Sequence, residues 1–487
     1  MHAAHKLPLP AMRGKKKTIV LENVLVEDYA AEGKALARVD GKVVFIENAV
    51  PGDVVDVQLF KNKKDWAEGR AINFKQLSKE RVTPFCQHFG VCGGSQWQML
   101  PYQKQTHYKF KQVAEQLRRI GHVQLPEIMP IAGADETRRY RNKLEYTFSE
   151  KKFFAREEYA MQQVEGYVPP KGAAGFHAKG MFDKVVDIVE CHLQNEPTNA
   201  IRNAVREYAF ANDLTFYNFR QHTGYLRNMQ VRLATTGELM VNLIVGYEDE
   251  PVRVKLLEFL KSTFPQITTL MYTINEKNND SMFGLTPVAY TGTGYITEKL
   301  EDFIFKISPA SFFQTNTKQG EKLYTITRDF AELTGTQTVY DLYCGTGSIG
   351  IFCSKGARKL IGVEMVEAAI VDAKENAKLN NIEHSRFFAG DVIKICDDAF
   401  FEKHGRPDVI ITDPPRAGMH EKLIQKLLEI EAPLVVYVSC NPATQARDLG
   451  LLNEKYSVEK IQPVDMFPHT HHIENVVQLK LRNNNEI

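Results

Sequence analysis

The segment Val435-Val-Tyr-Val-Ser-Cys-Asn-Pro-Ala443 sets one thiol, Cys440, at the end of an apolar run. Such a run reads as a strand buried in a parallel sheet. A thiol at a strand end is placed for nucleophilic chemistry, because a thiolate adds to electrophilic carbon and can leave again. Asp413-Pro-Pro-Arg416 lies 27 residues upstream and reads as a second strand end. Val339-Tyr-Asp-Leu-Tyr-Cys-Gly-Thr-Gly-Ser-Ile-Gly350 reads as a strand, a glycine-rich turn and a helix start. Near the C-terminus, Phe467-Pro-His-Thr-His-His-Ile-Glu-Asn475 places Glu474 just before a final strand.

The turn follows Asp-x-x-x-Gly-x-Gly from Asp341, with Gly345 and Gly347, and not the Gly-x-Gly-x-x-Gly of dinucleotide sites. The next candidate strand ends at Glu364, where an acid can accept hydrogen bonds from both ribose hydroxyls. A third leads to Gly390-Asp391, where an acid could meet an adenine edge. This is the pattern of S-adenosylmethionine methyltransferases, and the loop spacing disfavours a nicotinamide cofactor. A thiol, a carboxylate and a methyl donor suit uracil. Its C5 is too weak a nucleophile until a thiolate adds at C6. A base must then remove the C5 proton. Cys440 would be the nucleophile and Glu474 the base, with Asp413 holding the pyrimidine edge or the cofactor.

These residues need a doubly wound α/β domain to position them. Candidate strands are Thr338–Leu342, Lys359–Val363, Arg386–Ala389, Val409–Thr412, Leu434–Val438 and Val476–Leu481, with helical stretches between most of them. The chain of 487 residues divides on pattern into a basic tail (1–17), a small β-barrel of about five strands (18–78), a central α+β region (79–300) and the α/β domain (301–487). Pro101–Gly121 reads as an amphipathic helix, while 130–300 mixes strands and helices without a clear layout. Small barrels of this kind often bind single-stranded nucleic acid. Residues 301–487 carry 21 Lys and Arg against 26 Asp and Glu, so the net charge of +1 hides a basic N-terminal part suited to a polyanion. No apolar run approaches the roughly 18 residues of a membrane helix. No signal peptide is read, and an odd cysteine count, seven, fits a reducing cytoplasm. Cys344, Cys353 and Cys396 read as inert core thiols.

Ser439-Cys-Asn-Pro442, Asp413-Pro-Pro-Arg-Ala-Gly418, Ser308-Pro-Ala-Ser-Phe-Phe-Gln-Thr-Asn316 and His472-Ile-Glu474 resemble motifs of the RNA uracil-5 methyltransferase family. Val26-Glu-Asp-Tyr-Ala-Ala-Glu-Gly-Lys34 and Val50-Pro-Gly-Asp53 resemble TRAM barrels, so the resemblance spans most of the chain. It implies a TRAM barrel, a central domain and a Rossmann-like methyltransferase domain. It further implies an RNA substrate, with the barrel favouring the family's ribosomal-RNA branch (23S) over transfer RNA; a monomer is expected. By resemblance, Gln314, Tyr343, Glu364 and Asp413 match cofactor-contacting positions. Phe312 matches a residue near the flipped base, and Arg139, Arg141 and Lys143 lie in a segment associated with RNA contact. The family's iron–sulfur branch carries four cysteines. Cys86, Cys92 and Cys191 match three of them, but Ser95 stands at the remaining position, which leaves the [4Fe–4S] motif incomplete. A zinc site from the three thiols with His88 or water is the lesser option. The competing reading is an idle RNA-binding protein on the same fold.

Overall fold

The computed structural model describes residues 19–483, apart from 163, 165 and 169. The expected basic tail, 1–17, lies outside the described residues. The described residues form two compact units, divided between residues 82 and 83.

In the first unit the alternating sequence becomes a six-stranded sheet. Its order is Ile19–Leu25, Val54–Asn62, Trp66–Gln76, Lys42–Glu47, Ala35–Val39 and Asp28–Tyr29. Ile19–Leu25 also touches Ala35–Val39, so the sheet curls toward closure. Ala35, Ala37, Val44, Ile46, Val55 and Val57 fill its interior at period two. Six strands meet the expected number of about five, the shortest being the two-residue Asp28–Tyr29. The unit also runs past residue 78. Fully buried Asp53 accepts hydrogen bonds from the backbone N–H of Val50 (2.7 Å) and Ser78 (2.8 Å) and from the Arg81 guanidinium (2.7 Å). A buried carboxylate without a partner is costly, so Arg81 belongs to this unit.

The second unit opens with a mixed seven-stranded sheet that the sequence pattern did not reveal. Its order is Val288–Thr291, Thr269–Ile274, Leu239–Val245, Leu226–Leu233, Lys143–Ser149, Ala173–His177 and Val185–Asp187. The helices Thr198–Ala211 and Glu250–Thr263 contribute Ile201, Val205, Leu256 and Leu260 to its core. A hairpin, Ile296–Leu300 with Phe303–Ile307, follows. The expected boundary between residues 300 and 301 falls in its turn. Phe303, Phe305 and Ile307 share one core with Val339 and Leu360, so no linker separates the two regions.

The C-terminal sheet has seven strands: β1 (Thr338–Leu342), β2 (Lys359–Glu364), β3 (Ser385–Ala389), β4 (Val409–Thr412), β5 (Leu434–Ser439), β6 (Tyr456–Val464) and β7 (Glu474–Leu481). Their order is β3-β2-β1-β4-β5-β7-β6. The first five run parallel, and β7 is antiparallel to both β5 and β6. Strand order reverses between β1 and β4. In doubly wound sheets, ligands bind outside the carboxyl ends of the strands at such a point.

The expected N-terminal helix forms at Tyr102–Gly121 and packs on Pro442–Leu452, the helix that follows β5. The two close at glycines: a Cβ on Gly450 would lie 2.9 Å from the Gly121 carbonyl oxygen. Lys109 of this helix forms a 2.6 Å ion pair with Asp465, both side chains fully buried. Burial lowers the Lys109 pKa and Asp465 opposes the shift. Lys109 also donates to the Phe467 carbonyl (3.0 Å), and Gln105 Oε1 accepts from the His469 N–H (2.7 Å). The loop between β6 and β7 is thus strapped by a helix 356 residues earlier in the chain. Lys109→Met leaves Asp465 buried without a counter-charge and is expected to cost about 3–5 kcal/mol in urea unfolding. Lys109→Met combined with Asp465→Leu is expected to cost less, and a larger loss in the double variant would refute this account.

Candidate active site

Cys440 follows directly on β5, and Glu474 opens β7. The antiparallel register pairs Val438 with Val476 and Ser439 with Asn475. Cys440 and Glu474 are the next residues on the two strands, just past the last pair, and the Glu474 charge acts on the Cys440 thiol. The sequence placed Glu474 in a turn before a strand beginning at Val476. The strand begins two residues earlier because Asn475 is locked to Gln445: its amide donates to Gln445 Oε1 (2.7 Å), and its carbonyl accepts from Gln445 Nε2 (3.2 Å).

Asp413 follows β4, the neighbour of β5. Burial pushes its carboxyl up to about 7. Burial, then the Asp413 charge, raises Glu474 well above the usual carboxylate range. The two carboxyls are therefore coupled, and near neutral pH a proton can reside on the pair. Burial, then Glu474 and Asp413, pushes the Cys440 thiol up to about 11.

Arg416 opposes the shifts of both Cys440 and Glu474. Its carbonyl accepts from the Asn441 amide (3.0 Å) and Thr444 Oγ1 (3.2 Å), which ties the Asp-Pro-Pro-Arg loop to the Cys440 loop. Its guanidinium lies 3.2 Å from His472 Nδ1. Burial, then His471 and Arg416, pushes His472 down to about 3, so the imidazole is neutral and Nδ1 accepts. Sequence reasoning did not single out Arg416 as a site residue. Its place after Pro415 was the available signal.

At the end of β1, Tyr343, Gly345 and Gly347 take left-handed backbone, with φ of 62°, 53° and 77°. Buried Asp341 anchors this turn by accepting from the Gly350 N–H (2.9 Å). A Cβ at Gly350 would lie 2.7 Å from that carboxylate. Burial pushes Asp341 up to about 7. Glu364, ending β2, accepts from the N–H of Gly345 (3.2 Å) and of Val366 (2.9 Å). Asp391 accepts from the Ile393 N–H (3.0 Å) and caps Val392–Ile395. Phe312 is 69% exposed, and its carbonyl accepts from Thr346 Oγ1 (3.4 Å), beside the glycine turn. Buried Gln314 accepts through its carbonyl from the Asn142 amide (2.9 Å).

The basic segment is divided. Arg139 pairs with Glu190 (2.9 Å), and the Arg141 guanidinium lies 5.1 Å from the centre of the Phe467 ring. Both line a cleft of about 310 Å³ with Asn316 and Lys318. Lys143 lies 3.9 Å from Glu145 and is not among the lining residues.

The TRAM-domain family model matches residues 21–72, and the tRNA (uracil-5-)-methyltransferase family model matches residues 290–482. An uncharacterised RNA methyltransferase of Bacteroides thetaiotaomicron is 52% identical over 456 residues, 93% of this chain and 100% of the relative. The chain belongs to the RNA uracil-5 methyltransferase family. A second such relative, from Porphyromonas gingivalis, is 48% identical over 93% of this chain and 98% of its own. Among solved structures, the Pyrococcus abyssi tRNA (uracil-54, C5)-methyltransferase in complex with S-adenosyl-L-homocysteine is similar with a TM-score of 0.71. It is 25% identical, covering 94% of this chain and 100% of that one. No helix among this methyltransferase's described residues is long and apolar enough to cross a membrane.

In this uracil-5 methyltransferase, Cys86, Cys92, Cys191 and Ser95 line a cavity of about 30 Å³. Burial raises all three thiols, Cys92 to about 12. Ser95 Oγ accepts from the Gln98 amide (2.7 Å), and His88 Nε2 accepts from the Val189 N–H (3.3 Å). Among the described residues no group of three or more His, Cys, Asp or Glu is arranged to hold a metal ion. A [4Fe–4S] cluster normally takes four thiolates. With Ser95 at the fourth position, the donors present do not make up that four-thiolate set. Protein purified without oxygen is expected to hold far fewer than four irons per chain, with little acid-labile sulfide. A full complement of iron and sulfide would overturn this. Arg416→Met removes the cation that favours the thiolate, so alkylation of Cys440 at pH 8 should slow by up to about tenfold, one pKa unit. An unchanged or faster rate would show that Arg416 does not act on the thiol.

Proposed function

We propose that this chain transfers a methyl group from S-adenosylmethionine to C5 of a specific uridine in RNA through a covalent adduct on Cys440. The observation that carries the proposal is the meeting of Cys440, just past the end of β5, with Glu474 at the start of β7, where Asp413 and Arg416 also act on them. The glycine turn and Glu364 fit a nucleoside cofactor: left-handed backbone clears space beside the turn, and an acid ends the adjacent strand. Tyr343, Gln314 and Asp391 would complete that site. S-adenosylmethionine, when bound, supplies an electrophilic methyl group.

Cys440 gives its proton to the ionised member of the carboxyl pair as it bonds to uracil C6, and that proton passes on to solvent, so Glu474 is a carboxylate again for the last step. The C5–C6 π electrons pass toward the C4 carbonyl, and C5 becomes the nucleophile that accepts the methyl group. Glu474 then removes the C5 proton. The electron pair restores the C5–C6 double bond and expels the Cys440 thiolate, which Arg416 stabilises. A carboxyl whose pKa is raised toward neutrality is a stronger base than an ordinary glutamate. Target uridines within paired RNA must leave the stack, and exposed Phe312 offers a face for a flipped base. The TRAM unit would hold RNA as small barrels do.

The proposed substrate is 23S ribosomal RNA, on the resemblance of the barrel to that branch. The Pyrococcus abyssi enzyme supports a second reading, transfer RNA, because similarity to it extends over 94% of this chain. At that coverage the barrel does not separate the two. Seven free cysteines suit a reducing cytoplasm.

Cys440→Ala is expected to abolish 5-methyluridine formation and the adduct with 5-fluorouridine RNA while leaving RNA binding intact. Glu474→Gln is expected to stall after methyl transfer, so a covalent protein–RNA band accumulates on a denaturing gel. Turnover by the alanine variant would sink the mechanism. Mass-spectrometric mapping of 5-methyluridine in ribosomal and transfer RNA, with and without the gene, assigns the substrate.

A further inference from the structure

The amino-terminal edge of the C-terminal sheet, opposite the edge that carries Cys440, holds a polar cleft of about 550 Å³. Arg358 and Lys359 enter it at the start of β2, His384 and Arg386 at the start of β3, and Lys403 and His404 from the end of the helix Asp398–His404. Their hydrogen-bond partners are neutral. Arg358 donates to Thr338 Oγ1 (3.0 Å), and Lys359 to the His404 carbonyl (2.6 Å). Arg386 donates to the carbonyls of Ser385 (2.6 Å) and Glu383 (3.0 Å). Among the described residues none of Arg358, Lys359, Arg386 and Lys403 is ion-paired. Nearby surface cations behave differently: Lys355 pairs with Asp302 (2.9 Å) and Arg406 with Asp398 (3.3 Å). The charges act on one another, since burial and then Lys359, Lys403 and Arg386 lower the His404 pKa.

A helix end explains part of this. Lys403 and His404 close a helix, where positive charge complements exposed carbonyls. Arg358 and Arg386 lie on no helix. They are exposed, held by neutral acceptors, and keep further N–H groups free for an anion. The lining has no aliphatic or benzenoid wall that would bury a base, whereas four cations spread over an open cleft suit a chain of phosphates.

We propose that this cleft binds the phosphate backbone of the RNA substrate at a point remote from the target uridine. The proposal rests on the RNA methylation reading above and adds a second contact region to it. The five-residue strand β1 separates the two edges by roughly 17 Å. RNA bound at both would be gripped on opposite ends of the same sheet. Contacts of this kind fix register and add affinity without reading sequence.

The test is the salt dependence of binding by the full-length triple variant Arg358→Ala/Arg386→Ala/Lys403→Ala. The probes are a long transcript carrying the target and a short stem–loop around the target uridine alone. For the long transcript, affinity in about 0.1 M salt should fall on the order of tenfold, and the slope of log K against log salt should become shallower by roughly two to three. Methylation of the short stem–loop should keep its kcat. Equal slopes and affinities for variant and wild type on the long transcript would overturn the proposal, as would equal loss on both RNAs. Should the triple variant fold poorly by circular dichroism, Arg358→Gln and Arg386→Gln singly carry the same slope test. Binding without any 5-methyluridine in wild type would count against the proposed activity, and the slope would still decide the cleft. An active enzyme with an unchanged slope would refute the cleft alone.

Discussion

β7 runs antiparallel between β5 and β6 in a sheet whose other neighbouring strands from β3 to β5 are parallel. In a purely parallel sheet every strand would deliver its carboxyl end to the ligand edge. The reversed strand delivers its amino end there, so Glu474 at the start of β7 meets Cys440 just past the end of β5. The pairing depends on register alone. A slip of one residue would turn Glu474 to the other face of the sheet. Asn475 and Gln445 guard against this slip through reciprocal hydrogen bonds in the core. The loop that feeds β7 is held from several directions. Lys109 takes Asp465, Gln105 takes His469, Asn316 donates to the Met466 carbonyl (3.0 Å) and Tyr140 to that of Pro468 (3.1 Å).

The site this builds is electrostatically uncomfortable. Cys440, Glu474 and Asp413 are each harder to ionise than in water, with burial as the largest cause. Such crowding keeps the thiol protonated at rest and leaves proton-holding carboxyls beside it. One cation, Arg416, faces them and is fixed by its own carbonyl to the loop that follows Cys440. Removal of Arg416 would therefore disturb charge and loop geometry together, which makes it a positioning residue as well as an electrostatic one.

The α/β domain was largely legible because β1, β2, β4 and β5 are mostly buried runs that end in chemistry-bearing turns. The expected strands match β1 to β5 and β7 to within two residues. β6 was missed: Glu459 and Lys460 interrupt its pattern, and it lies at the sheet edge, where charge is tolerated. The central sheet was hidden for another reason. Leu226–Leu233 is buried along most of its length, yet it contains Arg227, Asn228, Gln230 and Arg232. Arg227 donates to the Asn275 carbonyl (2.6 Å) and pairs with Asp280, and Arg232 donates to the Ser311 carbonyl (2.6 Å). Sequence patterning reads such residues as solvent-facing, whereas their partners lie 48 to 79 residues away. The Lys109–Asp465 pair was invisible on the same ground. Cys440, Glu474 and Asp413 could be read because each sits beside a turn. Arg416 became visible only once the partners of its carbonyl were known.

The central position of β7 also bears on how the chain reaches this state. β5 and β6 are made first, yet neither can find its final neighbour until residues 474–481 have been synthesised. Until then, β5 presents an open edge of Leu434, Val435, Val436 and Val438 beside a half-built pocket. Unpaired apolar strand edges are templates for association between chains. A nascent or prematurely terminated chain is therefore adhesive at this edge. It lacks Glu474 and the strand that shields its stickiest surface, and both arrive in the same eight residues.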